Sequence, residues 1–339
     1  MDKVGKSIGK SLLGRSLKWM KTVEEINSKN TKTLLKNLNQ LTSLECDFCH
    51  SPKRLFKNIN SINYYECEQC KHIQCEVIPS SVFLKEIYSG NSDLNSSQDI
   101  AYVNIEKEMA NLRIEEIAVG KVEFVIKNVV YQANNLWIDI GSGVGDILLV
   151  AKDRGFEVLG FEASTLECEV AKSRGVSTIN SYFDPEQKYP QINRANIISL
   201  FNVLEHAPYP INFLVNLVNQ MNSNAYIIIE VPKNPSLSSI IQKSDAGMTY
   251  RHIFPPEHLN IFSRKSMEIL SNIAGFEIIS TWSYGSDAIE FFVSIINLYD
   301  TEFKGDLQKY APKINSLQKS IDGYDLSDNM IVVGKKIGA

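Results

Sequence analysis

Residues 136–146, Leu-Trp-Ile-Asp-Ile-Gly-Ser-Gly-Val-Gly-Asp, constrain the fold more than any other stretch of the chain. An apolar run carries an acid, Asp139, and passes into Gly141, Ser142, Gly143 and Gly145. Glycine permits the positive φ of a tight turn and lets backbone come close to a ligand. A strand, a glycine turn and a helix in this order open a βαβ unit. From Leu136 onward, short apolar runs alternate with amphipathic stretches of helical length, the pattern of a parallel sheet. The spacing predicts strands at Leu136–Ile140, Glu157–Phe161, Ser177–Ile179, Ile197–Phe201, Ala225–Val231, Phe276–Ser283 and Met330–Lys335. The fold class is therefore α/β, a doubly wound, mostly parallel, seven-stranded Rossmann-like sheet over residues 135–339.

The same loop discriminates between ligands. Counting the dinucleotide pattern G-x-G-x-x-G from Gly141 places Asp146 where the last glycine belongs. A carboxylate there sits badly beside a pyrophosphate at a helix N-terminus. S-adenosylmethionine (SAM) has no phosphate and carries a positive sulfonium and a positive amino group, which nearby acids favour. Asp139 on this reading supports SAM over NAD. The second strand ends at Glu162, 17 positions beyond Gly145, where a carboxylate can accept both ribose hydroxyls of an adenosine. Tyr182, Phe183 and Asp184 follow the third strand, where adenine contacts fall. Asn202 follows the fourth and completes the cofactor-binding set of Asp139, Gly141, Ser142, Gly143, Gly145, Glu162, Phe183 and Asn202.

Five of the six cysteines fall within residues 44–78. Cys46-x-x-Cys49 and Cys67-x-x-Cys70 are separated by 17 residues, the spacing of a structural zinc site. Each pair sits on a turn that points two sulfurs at one ion, and two turns complete a closed tetrahedral shell. A closed shell leaves no place for water, so the role of this zinc ribbon is folding. His72 and Cys75 lie nearby as alternative ligands. Cys168 sits in a helical pattern and reads as a buried thiol.

The glycine loop with its acid resembles the first motif of class I SAM-dependent methyltransferases, acid-x-G-x-G-x-G, and the resemblance runs from about Leu136 to the C-terminus. Phe201-Asn-Val-Leu-Glu205-His206-Ala-Pro resembles the motif after strand 4 of small-molecule methyltransferases. Val231-Pro232-Lys-Asn234-Pro is similar to the turn after strand 5, and Pro256-Glu257-His258-Leu-Asn-Ile-Phe262-Ser263 to a further motif. A zinc ribbon ahead of this domain resembles the arrangement in bacterial sugar C-methyltransferases and related enzymes. There a stretch like Ile87-Tyr88-Ser89-Gly90-Asn91-Ser92 lies over the substrate, which makes Tyr88 and Asn91 lid residues. Those enzymes carry a Tyr-x-x-His pair for proton transfer. Here His258 is present, but Pro255 stands in place of the tyrosine. The resemblance thus implies O- or C-methylation of a small-molecule acceptor such as a sugar, a glycolipid precursor or another metabolite.

Such a transfer aligns the acceptor with the methyl group and removes a proton from it. Histidine titrates near neutrality and suits that task. Of the five histidines, His258 is the first choice as general base and His206 the second, with Tyr88 beside them. His252, with Tyr250 and Arg251, is a further substrate-side group. Two other classes compete with this reading. One is a methyltransferase whose ribbon reads RNA or protein. Lys53, Arg54 and Lys57 lie between the cysteine pairs, but Glu45, Asp47, Glu66 and Glu68 offset them, and Asn234-Pro235 is not followed by Pro-Tyr. The other is a non-catalytic scaffold that keeps the fold.

A net charge of −4 over 339 residues argues against binding nucleic acid through bulk charge. No apolar run is long enough to span a bilayer, the N-terminus lacks the apolar core of a secretory signal, and a cytoplasmic location follows as the default. Residues 1–43 begin with Lys3, Lys6, Lys10, Arg15, Lys18 and Lys21, with Val4, Ile8 and Leu12 at helical spacing. Such a basic amphipathic helix can touch an anionic membrane surface weakly, or simply be solvated. Residues 79–134 read as a helical linker and substrate lid, with helix over 103–134.

Overall fold

A computed structural model describes residues 3–4, 17–36, 41–89, 107–244, 252–253, 255–289, 291–292 and 307–338. The chain forms β1 (Lys3–Val4), β2 (Lys53–Ile59), β3 (Ile62–Cys67), β4 (Ile73–Cys75), β5 (Leu136–Ile140) and β6 (Glu157–Glu162). It continues through β7 (Thr178–Asn180), β8 (Ile197–Phe201), β9 (Tyr226–Pro232), β10 (Asn260–Ile261), β11 (Phe276–Tyr284) and β12 (Asn329–Lys336). The main sheet runs β1-β11-β12-β9-β8-β5-β6-β7. Its seven principal strands are those expected from the apolar runs, each within a residue or two at its ends. β12 is antiparallel to both neighbours; the others run parallel to one another. The two-residue β1 lies on the outer edge beside β11.

Near-continuous apolar strands fit a sheet covered on both faces, and side chains alternate between those faces. Ile138, Ile198, Ile227 and Ile229 join one core with Leu214 and Leu217 of helix Pro210–Gln220 and Met267 and Leu270 of helix Arg264–Ala274. Trp137, Ile197, Ile228 and Ile331 face the other way, toward Val122 and Val125 of helix Val119–Asn128 and Leu148 of helix Asp146–Asp153. A side chain at Gly334 of β12 would lie well inside contact distance of the Phe276 ring and 2.9 Å from Ile227. We expect Gly334→Ala to cost about 1–3 kcal/mol through overpacking. An unchanged denaturation midpoint would show that the sheet gives way there.

The ribbon departs from the separate module implied by its sequence. β2, β3 and β4 form an antiparallel sheet whose fourth strand, β10, comes from residues 260–261. Cys46, Phe48, Cys67 and Cys70 belong to the same buried cluster as Phe262 and the sheet strands. The Ser263 hydroxyl donates to the Cys70 carbonyl, and Tyr64 Oη donates to the His258 carbonyl at 2.7 Å. Asn234 Nδ2 donates to Glu66 (2.9 Å) and to the Lys71 carbonyl (2.8 Å).

The expected helix over 103–134 is seen from Lys107 to Asn128, with a π-helical turn at Ile114–Ala118. In the N-terminal segment, helix Leu17–Lys36 is present; most of the basic stretch before it, residues 5–16, and with it the membrane-surface expectation, lies outside the described residues. Asn91, Tyr250 and Arg251 also lie outside them. No described helix is long and apolar enough to cross a membrane.

Candidate active site

The strand order reverses at β5, between β6 and β8, and ligands of open α/β sheets bind beyond the strand ends at such a point. There lies a cavity of about 520 Å³. Gly141, Glu162, Phe183, Asn202, His206 and Tyr88 line it. Asp139, Ser142, Gly143, Gly145 and His258 do not.

The glycine loop does what its sequence requires. Gly141, Gly143 and Gly145 have φ of 69°, 54° and 81°, the left-handed region, which a side chain disfavours. A Cβ at Gly141 would lie 2.5 Å from Val203 Cγ2. Glu162, at the end of β6, ties the loop down. Its two carboxylate oxygens accept from the Gly143 and Ser164 backbone N–H groups, each at 2.8 Å. Ser142 is buried and holds the turn through its N–H to the Phe161 carbonyl at 3.1 Å. Asn202 has φ of 56° and donates its N–H to the Glu230 carbonyl at 3.0 Å. Phe183 packs parallel to Tyr189, ring centroids 4.6 Å apart.

Asp139 differs from expectation. Alternation along β5 sends its side chain into the buried face, where it is 2% exposed and accepts from Ser199 Oγ at 2.6 Å. Trp137 Nε1 donates to that same hydroxyl. Burial pushes the Asp139 carboxyl up to about 8, so it is no open negative charge at neutral pH. A buried ion pair, Lys121–Glu230, lies in the same region, with Tyr284 and Asn329 donating to Glu230. Asp146, at the start of the following helix, is clamped by Arg113 (2.5 Å) and Arg174 (2.7 Å). A carboxylate thus occupies the helix N-terminus that a pyrophosphate would need.

On the opposite wall, helix Ser81–Ser89 contributes Ser81, Leu84, Lys85 and Tyr88. Tyr88 therefore sits in a helix rather than a turn. The helix is capped by Ser80, whose hydroxyl accepts from the Phe83 N–H at 3.2 Å. That capping serine was the available sequence signal for Leu84 and Lys85, which the motif reading missed. Tyr88 Oη lies 2.9 Å from His206 Nδ1. Burial raises the Tyr88 phenol well above its ordinary value, so it is a hydrogen-bonding hydroxyl, not a phenolate. Burial also lowers His206 to about 4.

His258 lies one layer behind His206, with ring centroids 4.8 Å apart. It is 7% exposed and its Nδ1 is held by the His252 carbonyl at 2.8 Å. The expectation that it faces the cofactor side directly is thus replaced by a place behind the wall. His252 Nε2 lies 3.4 Å from buried Asp328, away from the cavity.

In the ribbon, Cys46 Sγ and Cys70 Sγ are 3.6 Å apart, and Cys49 Sγ and Cys67 Sγ are 3.4 Å apart. A disulfide needs about 2.05 Å. A tetrahedral zinc with about 2.3 Å bonds needs sulfurs about 3.8 Å apart. All four sulfurs lie within 4.8 Å of one another, and this donor set fits zinc. Cys75 stands apart from the cluster, and His72 Nε2 is engaged by Asn260 at 3.2 Å. Neither belongs to the group of four sulfurs.

Residues 121–281 match the family model described as a methyltransferase domain. No curated protein gives a significant match. Similar solved structures include a SAM-dependent methyltransferase from Archaeoglobus fulgidus (16% identity, 65% of this chain and 94% of that one, TM-score 0.42). Another is the cyclopropane synthase MmaA2 from Mycobacterium tuberculosis (13%, 66% and 85%, 0.45). A third is geranyl diphosphate C-methyltransferase from Streptomyces coelicolor A3(2) (12%, 70% and 88%, 0.44). These structures identify no acceptor for this chain. The segment that matches this methyltransferase-domain model, residues 121–281, contains the reversal of strand order at β5 and the glycine turn described above.

Proposed function

We propose that the chain binds SAM in the cavity beyond β5, β6 and β8 and methylates a small-molecule acceptor. The observation that carries this reading is the convergence of Gly141, Glu162, Phe183 and Asn202 on one cavity that Tyr88 and His206 also line. Bound SAM supplies an electrophilic methyl group. Glu162 would hold the ribose while fixing the glycine turn, Phe183 would flank the adenine, and Gly141 with Asn202 would hold the methionine end. Leu84, Tyr209 and Phe213 give the acceptor side an apolar and aromatic lining, which favours an acceptor with an apolar body. Tyr88 orients the acceptor by hydrogen bonding, and His206 holds the Tyr88 hydroxyl in place. Cys46, Cys49, Cys67 and Cys70 would hold one structural zinc.

Parallel calorimetric titrations with SAM and NAD test the assignment. SAM is expected to bind with about one site per chain and NAD not to bind, because Asp146 and its two arginines fill the helix terminus. Binding of NAD alone would reverse the reading.

A further inference from the structure

Behind the cavity wall, Glu205, His206 and His258 each bring one ligand-type atom within 4.8 Å of the other two. Glu205 is fully buried, and both its carboxylate oxygens lack a hydrogen-bond partner. His206 Nε2 is likewise buried without one. Leaving a buried carboxylate unsatisfied costs several kcal/mol. Two other buried acids, Asp287 and Glu230, avoid that cost. Asp287 accepts from Ser238 at 2.6 Å and from the Asp328 N–H at 3.0 Å, and Glu230 is paired with Lys121.

The histidine tautomers point the same way. His206 Nδ1 lies 2.9 Å from the Glu257 carbonyl. A carbonyl oxygen can only accept, so Nδ1 carries the proton and Nε2 the lone pair. His258 Nδ1 lies 2.8 Å from the His252 carbonyl, and the same logic leaves its lone pair on Nε2. Imidazoles anchored by an Nδ1–H to a carbonyl are oriented as metal ligands are.

We propose that Glu205, His206 and His258 bind one divalent transition-metal ion at the cavity wall. Two imidazole nitrogens and one carboxylate suit manganese, iron, cobalt or zinc better than magnesium or calcium. Three protein ligands leave coordination positions for a further molecule. His206 lines the cavity, so a ligand entering from that side can complete the shell. An ion there would draw an acceptor oxygen toward it and lower that oxygen's proton affinity. This ion is separate from the one at the four cysteines, where soft sulfur donors select zinc.

The test uses the full chain saturated with zinc, dialysed to equilibrium against Mn²⁺, with total bound zinc plus manganese measured by elemental analysis. The wild-type chain is expected to hold about two ions, and Glu205→Gln and His258→Gln about one each, with SAM affinity confirming that both variants are folded. Electron paramagnetic resonance of bound Mn²⁺ should show at least tenfold weaker binding in either variant. Equal metal content in the wild type and both variants would overturn the site. A failure to bind SAM would instead sink the methyltransferase reading and leave the metal count as it was.

Discussion

Replacing Cys67 by serine is expected to empty the four-cysteine site and to slow methyl transfer about 100-fold, while SAM affinity changes little. The first effect follows from the shell. Cys67 Sγ faces Cys49 Sγ at 3.4 Å and accepts from the Cys70 N–H at the same distance. A serine hydroxyl is shorter, harder and not ionised at neutral pH, so it does not replace a thiolate toward zinc. In small metallodomains the metal supplies on the order of 10 kcal/mol of folding free energy. The segment it staples also buries Phe56, Ile62, Tyr64 and Ile73, so loss of the metal loosens the ribbon without unfolding it.

The second effect follows from how the ribbon is built into the domain. β4 pairs with β10, the Cys75 N–H donates to the Leu259 carbonyl at 2.8 Å, and Tyr64 holds the His258 carbonyl. The next links reach the cavity wall. The Leu259 N–H donates to the Glu205 carbonyl at 2.9 Å, and Asn260 Nδ2 to the Ala207 carbonyl at 2.8 Å. A loosened ribbon therefore releases the segment that sets His206 and Tyr88. Misplacement of positioning groups by about 1 Å costs about 100-fold in rate. The glycine turn is held by Glu162 and β6 instead, so cofactor affinity should be spared. Zinc content by elemental analysis and separate kcat and SAM titrations check this. Full zinc occupancy in Cys67→Ser would refute the shell, and Cys75→Ser should keep its zinc.

The contrast between what the sequence disclosed and what it concealed has a physical basis. Strands such as Ile197–Phe201 and Tyr226–Pro232 are buried along their whole length and apolar but for Ser199 and Glu230, because both sheet faces are covered. Their order could be read from alternation with helices. The cluster of four cysteines was legible because its members sit in two local turns. Asp139 shows the limit. Its place before the glycines was plain, but its face was decided by the strand period and by Ser199, 60 positions away. The meeting of Tyr88 with His206 spans 118 positions and leaves no periodic trace. Nor does β10, two residues long, which joins the ribbon only through its partner β4. His258 was found as a motif residue, yet its depth behind His206 depends on a backbone carbonyl, that of His252, which no side-chain pattern announces.

Glu162→Ala should weaken SAM binding by about 10- to 100-fold, and Glu162→Gln by less. One carboxylate performs two tasks here. Its oxygens accept the Gly143 and Ser164 N–H groups, one oxygen to each, and it borders the cavity. Hydrogen bonds to a charged acceptor contribute about 1.5–3 kcal/mol, and each 1.4 kcal/mol is a factor of ten in affinity. Alanine removes both acceptors, freeing Gly143 at a positive φ of 54° and leaving two N–H groups to seek water. Glutamine retains one carbonyl oxygen, so it can satisfy one of the two donors; its NH₂ group then opposes the other N–H. The order wild type, Gln, Ala in affinity is thus a property of this geometry. A ribose contact alone would rank the substitutions differently, since an amide can still hydrogen-bond hydroxyl groups at both of its ends. Calorimetric Kd values for the three proteins, with hydrogen exchange of the Gly143 and Ser164 amides in the absence of SAM, separate the cases. Faster exchange in both variants, largest in Glu162→Ala, is the expected result. Unchanged exchange together with unchanged affinity would remove Glu162 from the cofactor site.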